Sequence, residues 1–193
     1  MPKLWNETIE SHRHAVHQAI LEGAAALVRA HGLAAVTMSQ IAKDAGIGRA
    51  TLYKYFPDVE SIMTAWHERQ ITAHLDHLIR AGEAEPEPGR RLAAVLDAYT
   101  RLVHGHRADD LSVLLHRGEH VGRAQARLRD YIAGLITQAA AAGEVRTDAE
   151  PELLADYCLH ALAACGAMPG EAARTKLLGI TLGALRTLGS NQA

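Results

Sequence analysis

Apolar residues recur three and four positions apart along most of the chain, the spacing of a helix that turns once in about 3.6 residues. From about Thr8 to Ala30, Val16, Ile20, Ala24, Leu27 and Val28 share one stripe, and Gly32 after His31 suits the left-handed position that ends a helix. The pattern next predicts two short helices, about 38–45 and 49–55, and a long one from Asp58 to about Ala81. The apolar face of the long one carries Ile62, Trp66, Leu75, Leu78 and Ile79. The stretch G-E-A-E-P-E-P-G at 82–89 is the clearest breaker. Helical spacing resumes over Arg90–Val103 through Leu92, Val95, Leu96, Tyr99 and Val103. A short helix near Asp109–His116 follows, then one at about 121–142 that Gly143 ends. Pro151 opens a helix to about Cys165, and Gly170 or Glu171 opens the last, to Leu188. About nine helices and no internal repeat are expected, an all-α fold.

Composition narrows this picture. In 193 residues, 48% are hydrophobic and 22% charged, which is globular and not disordered. One Phe, two Trp and five Tyr leave the core to Leu, Ala, Val and Ile. No apolar run reaches the ~20 residues that cross a bilayer, and no cleavable leader opens the chain, so a soluble cytoplasmic protein is expected. Cys158 and Cys165 lie two helical turns apart, too far along one helix for a disulfide, and read as small buried hydrophobes. Net charge is −2, unevenly spread. Residues 1–56 hold six cations (Lys3, Arg13, Arg29, Lys43, Arg49, Lys54) against four acids (Glu7, Glu10, Glu22, Asp44), a basic end on an acidic body.

The chemistry concentrates in T-M-S-Q-I-A-K-D-A-G-I-G-R-A-T-L-Y-K-Y-F, residues 37–56. Thr37 with Gln40 has the form of a capping box, each side chain satisfying a backbone N–H of the other. Ile41, Ala42 and Ala45 make a short inward face. Gly46 supplies a tight turn, Ile47 plugs it, and Gly48 is an acceptable cap for a second helix. Two short helices across a glycine turn make a helix-turn-helix, whose second helix enters the major groove by its N-terminal end. Arg49 can hold the O6 and N7 of guanine, and Ala50 and Thr51 can pack on a thymine methyl. Tyr53, Lys54 and Tyr55 bring hydroxyls and a cation to phosphates, contacts that position without specifying. The alternatives are a solvated Arg49 and tyrosines that merely pack on a short helix. Leu52 and Phe56 point back inward.

This segment resembles the N-terminal region of the TetR/AcrR regulators, above all in "IAKDAGIG" and "TLYKYF". The resemblance is strong over about residues 12–65 and thinner beyond, where "AAAAGEVRTDAEPELLADYCLHALAA" looks like the family's junction between its seventh and eighth helices. It implies a three-helix DNA-binding head, here residues 1–56, and a C-terminal ligand-binding and dimerisation domain, residues 57–193, with helix 58–81 connecting the two. It places the recognition positions on Arg49, Ala50, Thr51, Tyr53 and Tyr55, a phosphate contact on Thr37 and a further one on Lys54. The chain departs from the pattern at Pro57-Asp58-Val59-Glu60, where the family often has a phosphate-clamping Lys. Asp58 makes a good N-cap but would repel a nearby phosphate.

Twelve histidines raise the question of metal. His116 and His120 are four apart, and His74 and His77 three apart, but no H-E-x-x-H accompanies them, so no metal and no cofactor are expected. His104, His116 and His120 could instead line an effector cavity with Trp66, Tyr99, Tyr131 and Tyr157, side chains that otherwise read as core or interface packing. No phosphate loop, nucleophile elbow or carboxylate pair suggests an enzyme. The last two helices, about 151–166 and 171–188, carry more apolar surface than one subunit needs: Leu153, Leu154, Tyr157, Ala161, Leu162, Leu178, Thr181, Leu182, Leu185 and Leu188. They are expected to form a four-helix homodimer interface. The expected function is sequence-specific transcriptional regulation. A repressor dimer would hold double-stranded DNA at a pseudo-palindromic operator and let go when a small-molecule effector binds the C-terminal domain.

Overall fold

A computed structural model describes residues 2–105 and 119–186 of the chain. Among the described residues there are eight α-helices and no strand. They are α1 (Pro2–His31), α2 (Met38–Asp44), α3 (Arg49–Tyr55), α4 (Val59–Glu83), α5 (Pro88–Gly105), α6 (Glu119–Ala141), α7 (Pro151–Ala163) and α8 (Glu171–Leu185). Two 3-10 turns, Leu33–Ala35 and Ala164–Ala167, follow α1 and α7. The helix expected near 109–116 lies outside the described residues, as do His116 and Leu188.

Two expectations are corrected. The first helix begins at Pro2 and not near Thr8. Proline is tolerated in the first turn, where no intrahelical N–H is needed, and nothing between it and Thr8 breaks the helix. Gly32 does not take the left-handed helical conformation. Its φ of 80° and ψ of 152° lie in a region essentially confined to glycine, and they redirect the chain into the 3-10 turn.

The chain divides into two compact units, Met1–Gln70 and Ile71–Ala193, so the border falls inside α4. The core of the first is Ile20, Leu21, Ala24, Ala25 and Val28 of α1, Ile41 and Ala42 of α2, Leu52 and Phe56, and Ile62, Met63 and Trp66 of α4. All but Val28, Phe56 and Trp66 are 2% exposed or less. Arg69 of α4 reaches both Gln18 and Glu22 of α1, and the Arg29 guanidinium lies 5.0 Å from the centre of the Trp66 ring. These ties hold the first half of α4 against α1.

In the second unit, α5 lies among α6, α7 and α8 around Leu92, Val95, Leu96, Ile132, Ile136, Leu154, Cys158, Leu162, Leu178 and Leu185. Both cysteines are buried, and burial pushes the Cys158 thiol up to about 12. Arg174 of α8 is 2% exposed yet charged. Its guanidinium donates to Asp97 Oδ1 and Thr100 Oγ1 of α5, each at 2.5 Å, and to Glu171 Oε1 at 2.6 Å.

Gly82, near the end of α4, shows how tightly these helices approach. A Cβ there would stand 2.8 Å from Val95 Cγ2 and 2.9 Å from the Tyr131 hydroxyl oxygen. Tyr131 can swing aside, but Val95 is wholly buried and stiff. Alanine gains about 1 kcal/mol of helix propensity, whereas overpacking costs about 1–3 kcal/mol. Gly82→Ala should therefore lower stability by about 1 kcal/mol and Gly82→Val by roughly twice that or more. Denaturant unfolding of the two variants checks the order.

Candidate nucleic-acid interface

The capping box predicted at Thr37 is present. Thr37 is extended at φ −119° and ψ 153°, and its hydroxyl accepts the Gln40 N–H at 3.3 Å. Gln40 Oε1 in return accepts the Thr37 N–H and the Thr37 hydroxyl, both at 2.8 Å. Both donors of Thr37 are therefore engaged within the box, and one must turn away from Gln40 to reach a phosphate.

The corner between the two short helices is a Schellman motif. Gly46, at φ 66°, donates to Lys43 O at 3.2 Å, and Ile47 donates across it to Ala42 O at 2.9 Å. The turn needs a positive φ, so glycine is required there. Ile47 is partly covered in the angle between the helices. Gly48 then caps α3, its carbonyl accepting from Thr51 and Leu52 at 2.9 and 3.0 Å.

Helix α3 is only seven residues long, too short to persist in isolation, so its pose depends on what anchors it. Leu52 is fully buried and Phe56 is 7% exposed. Arg49, Ala50, Thr51, Tyr53 and Lys54 are all exposed, and Tyr53 is half accessible. Lys43 of α2 is exposed as well. The outer side of α3 thus presents a guanidinium, a methyl, two hydroxyls and an ammonium at the end the motif would offer to a groove.

Tyr55 differs from Tyr53. It is half-buried, and its ring lies 6.3 Å from that of His17 on α1, which also meets Phe56 at 5.2 Å. Sequence reasoning missed His17, together with the hold of Arg69 on Gln18 and Glu22. The one signal was placement, since His17 immediately follows Val16 at the margin of the apolar stripe. Asp58 is an N-cap as expected: its Oδ1 accepts the Ser61 N–H at 2.7 Å, and the Ser61 hydroxyl donates to its carbonyl at 2.7 Å. The carboxylate is turned to its own helix start.

These features match known proteins. The family described as bacterial regulatory proteins, tetR family, matches residues 20–65, the part that holds the corner and α3. An HTH-type transcriptional regulator of Mycobacterium bovis is 33% identical over 136 residues, 66% of this chain and 68% of that protein. The chain belongs to the TetR family. It is accordingly a DNA-binding transcriptional regulator with a helix-turn-helix. Solved structures share its fold at lower identity. A TetR/AcrR regulator from Thermobifida fusca has a TM-score of 0.71 at 21% identity, over 91% of this chain and 98% of that one. AibR, in complex with isovaleryl coenzyme A and operator DNA, has a TM-score of 0.57 at 20% identity, over 89% and 98%.

The expected effector-pocket residues of this TetR-family chain stand on several helices of the two units, with His116 outside the described residues. Trp66 belongs to the first unit, under Arg29. In the second unit Tyr99 is half-buried against the core, its hydroxyl pushed up by burial and by the neighbouring Cys165. His104 Nδ1 meets Cys165 O at 3.1 Å, which requires the ring N–H there because a carbonyl only accepts. The Tyr131 hydroxyl lies beside Gly82, and His120 is partly covered. Tyr157 faces outward, 41% exposed, on the side of α7 that it shares with Leu153, while Cys158 and Leu162 turn inward. An open depression of about 300 Å³ borders Thr137, Arg146 and Asp148 and includes none of these side chains. Among the described residues no three His, Cys, Asp or Glu side chains are grouped to hold a metal, and no helix is long and apolar enough to cross a membrane.

The interface expected over the last two helices is also redrawn. Leu154, Leu162, Leu178, Thr181 and Leu185 are 9% exposed or less and pack within their own unit. What remains outside is Leu153 at 62%, Tyr157 at 41% and Ile180 at 59%, with exposed His160, Ala164, Lys176, Gly179 and Gly183 around them.

Proposed function

We propose that the chain is a cytoplasmic repressor that acts as a homodimer, holding two copies of α3 about one DNA turn apart on a pseudo-palindromic operator. A small molecule bound in the C-terminal part then releases the DNA. The observation that carries the dimer is the outward side of α7 and α8. Among the described residues, the exposed large apolar side chains are Tyr53 on α3 and Leu153, Tyr157 and Ile180 on α7 and α8, and small residues beside the latter on α8 permit close helix approach. A second copy of the same surface covers it, giving an isologous four-helix contact. Residues 1–56 serve as the head, and 57–193 serve for ligand binding and dimerisation.

In this reading Arg49 holds a guanine, and Ala50 and Thr51 contact thymine methyls. Tyr53, Lys54, Tyr55 and Thr37 position the head on phosphates. Tyr99, His104 and Tyr131 offer polar tips to the effector. The effector binds the released conformation more tightly than the DNA-competent one, since differential affinity alone shifts such an equilibrium. AibR holds an acyl-CoA thioester, which makes short acyl-CoAs the first effectors to try.

Selection of bound sequences from random DNA tests the reading. The expected product is an inverted repeat with half-site centres about 10 base pairs apart, or a multiple of that spacing. Expression from a promoter bearing the repeat should fall when the protein is supplied and recover when isovaleryl coenzyme A, or another acyl-CoA of the series, is added. A rise on supplying the protein would overturn the repressor assignment. On that repeat, Arg49→Ala should weaken binding by about 1–3 kcal/mol and relax preference at one base pair, while Tyr53→Phe should cost less and equally on all sequences. Titrations over variant operators separate the two.

A further inference from the structure

The contact between His17 and the end of α3 links α1 to DNA binding. A seven-residue helix has two turns, and a small rotation about its anchors moves its outer side chains by ångströms. At its N-terminal end α3 is held by the Gly48 carbonyl, and along its inner side by Leu52. At the other end, the ring of His17 faces both Tyr55 and Phe56, at 6.3 Å and 56° and at 5.2 Å and 36°. Tilted aromatic pairs at such distances are favourable and directional, so the contact fixes an angle as well as a separation. We propose that His17 is a positioning residue for DNA binding: its ring seats Tyr55 and the C-terminal end of the recognition helix, and thereby sets the pitch at which α3 meets the groove. The proposal rests on α3 being the recognition helix.

The surroundings of His17 make this seat sensitive to charge. On its own helix stands His14, whose Nε2 is 3.4 Å from Gln18 Nε2. From α4 comes Arg69, held by Gln18 and by its ion partner Glu22. From the end of α3 and its cap come the Tyr55 and Phe56 rings. Partial burial, then the nearby His14 and Arg69, hold the His17 imidazole below its ordinary value of 6.5. It is neutral at physiological pH. Because the folded value lies below the unfolded one, acid acts against the folded head. Above pH 6.5 the group contributes nothing to pH dependence, and stability falls as pH drops below 6.5 until the folded form is also protonated. A proton on His17 sets a second cation beside Arg69, and the seat loosens where Tyr55 rests.

The test compares full-length wild type with His17→Ala, His17→Phe, Tyr55→Ala and the double variant His17→Ala/Tyr55→Ala, all on one selected operator. Thermal melts of each variant exclude unfolding. At pH 7.5 His17→Ala should bind about tenfold more weakly, and His17→Phe should recover most of that loss because a ring again fills the seat. The two alanine changes should not multiply: once the seat is gone, Tyr55→Ala should cost at most a third of the fold-change it costs in wild type. Between pH 7.5 and 5.5 the ratio of His17→Phe affinity to wild-type affinity should rise, since the phenyl ring cannot take a proton. Independent, multiplying losses, or a phenylalanine no better than alanine, would overturn the proposal. If Arg49→Ala and Tyr55→Ala each bind like wild type, the assignment of α3 itself is wrong, a different failure from that of the seat.

Discussion

Leu153→Asp combined with Ile180→Asp should yield a folded monomer that binds the full inverted repeat about a hundredfold or more weakly than wild type. Both side chains are more than half exposed in the single chain, so a carboxylate at either place stays hydrated and the fold keeps its core. In the proposed dimer the same carboxylates would be stripped of water near their own symmetry mates, with Glu152 and Asp156 on α7 already bringing negative charge. Burying unpaired charge costs more than apolar contact returns. The loss in operator affinity follows from linkage of two heads. Each half-site alone is bound weakly, and joining two raises avidity by about 10²–10⁴ without a new contact. Sedimentation should show one chain per particle, circular dichroism should show retained helix, and affinity for a single half-site should match wild type. A dimer of undiminished affinity would place the interface elsewhere.

The second large effect concerns Arg174, and here the fold itself is at stake. Arg174→Ala should destabilise the protein by about 3 kcal/mol, a fall in Tm on the order of 10 °C. The substitution removes a buried side chain and three charge-assisted hydrogen bonds, two that join α8 to Asp97 and Thr100 of α5 and one to Glu171 in the first turn of α8. The lower part of the range for broken buried ion pairs applies because Asp97 and Glu171 remain partly in water, and Asp97 keeps a 2.9 Å bond from Arg101. Arg174→Met should lose less than alanine. It preserves volume, and it removes the Nε donor, which is buried with no acceptor.

The same network fixes the sign of an acid effect. Burial pushes the Asp97 carboxyl up, and the hydrogen bonds from Arg174 and Arg101 outweigh it, so the group sits below its ordinary 3.8. The Arg174 hydrogen bond holds Glu171 below 4.5. Carboxyls lowered in the folded state stabilise it above the unfolded values, and that contribution disappears as pH falls through the lowered ones. Melts from pH 7 to 3 should therefore lose stability below about pH 4 in wild type. The acid limb should be flatter in Arg174→Met.

Much of the head was legible because its signals are local. The capping box spans Thr37 to Gln40, the Schellman turn spans Ala42 to Ile47, and the cap of α4 spans Asp58 to Ser61. A side chain and a backbone group within five residues meet whatever the rest of the chain does, so residue type and spacing are enough. The outer side of α3 was legible for a related reason. Leu52 and Phe56 mark the inward side, helical geometry turns Ala50 and Lys54 away from it with Thr51 and Tyr53 at its flanks, and Arg49 is exposed at the open first turn.

Elsewhere periodicity identified the helices but not their partners. The apolar abundance of α7 and α8 was plain, yet Leu154 and Leu162 turned out to fill their own unit while Leu153 and Tyr157 face out. On a helix that is apolar on most sides, only the neighbouring helix determines which stripe is interior. The expected effector residues lie on separate helices, and their spacing does not encode whether they share a cavity.

What the amino-acid sequence by itself determined was the all-helical architecture, the corner that presents α3, and the membership that follows from residues 37–56. Tertiary structure alone decided the grip of Arg69 on α1, the seat of Tyr55 against His17, the close pass at Gly82 and the burial of Arg174. Most of these contacts join residues separated by about 40 to 80 positions, as Arg69 and Gln18 or Arg174 and Asp97 are, and even Gly82 and Val95 lie on different helices. Short-range geometry is fixed by bond angles and a helical repeat, whereas such meetings depend on how whole helices pack, and packing is a property of all their side chains together.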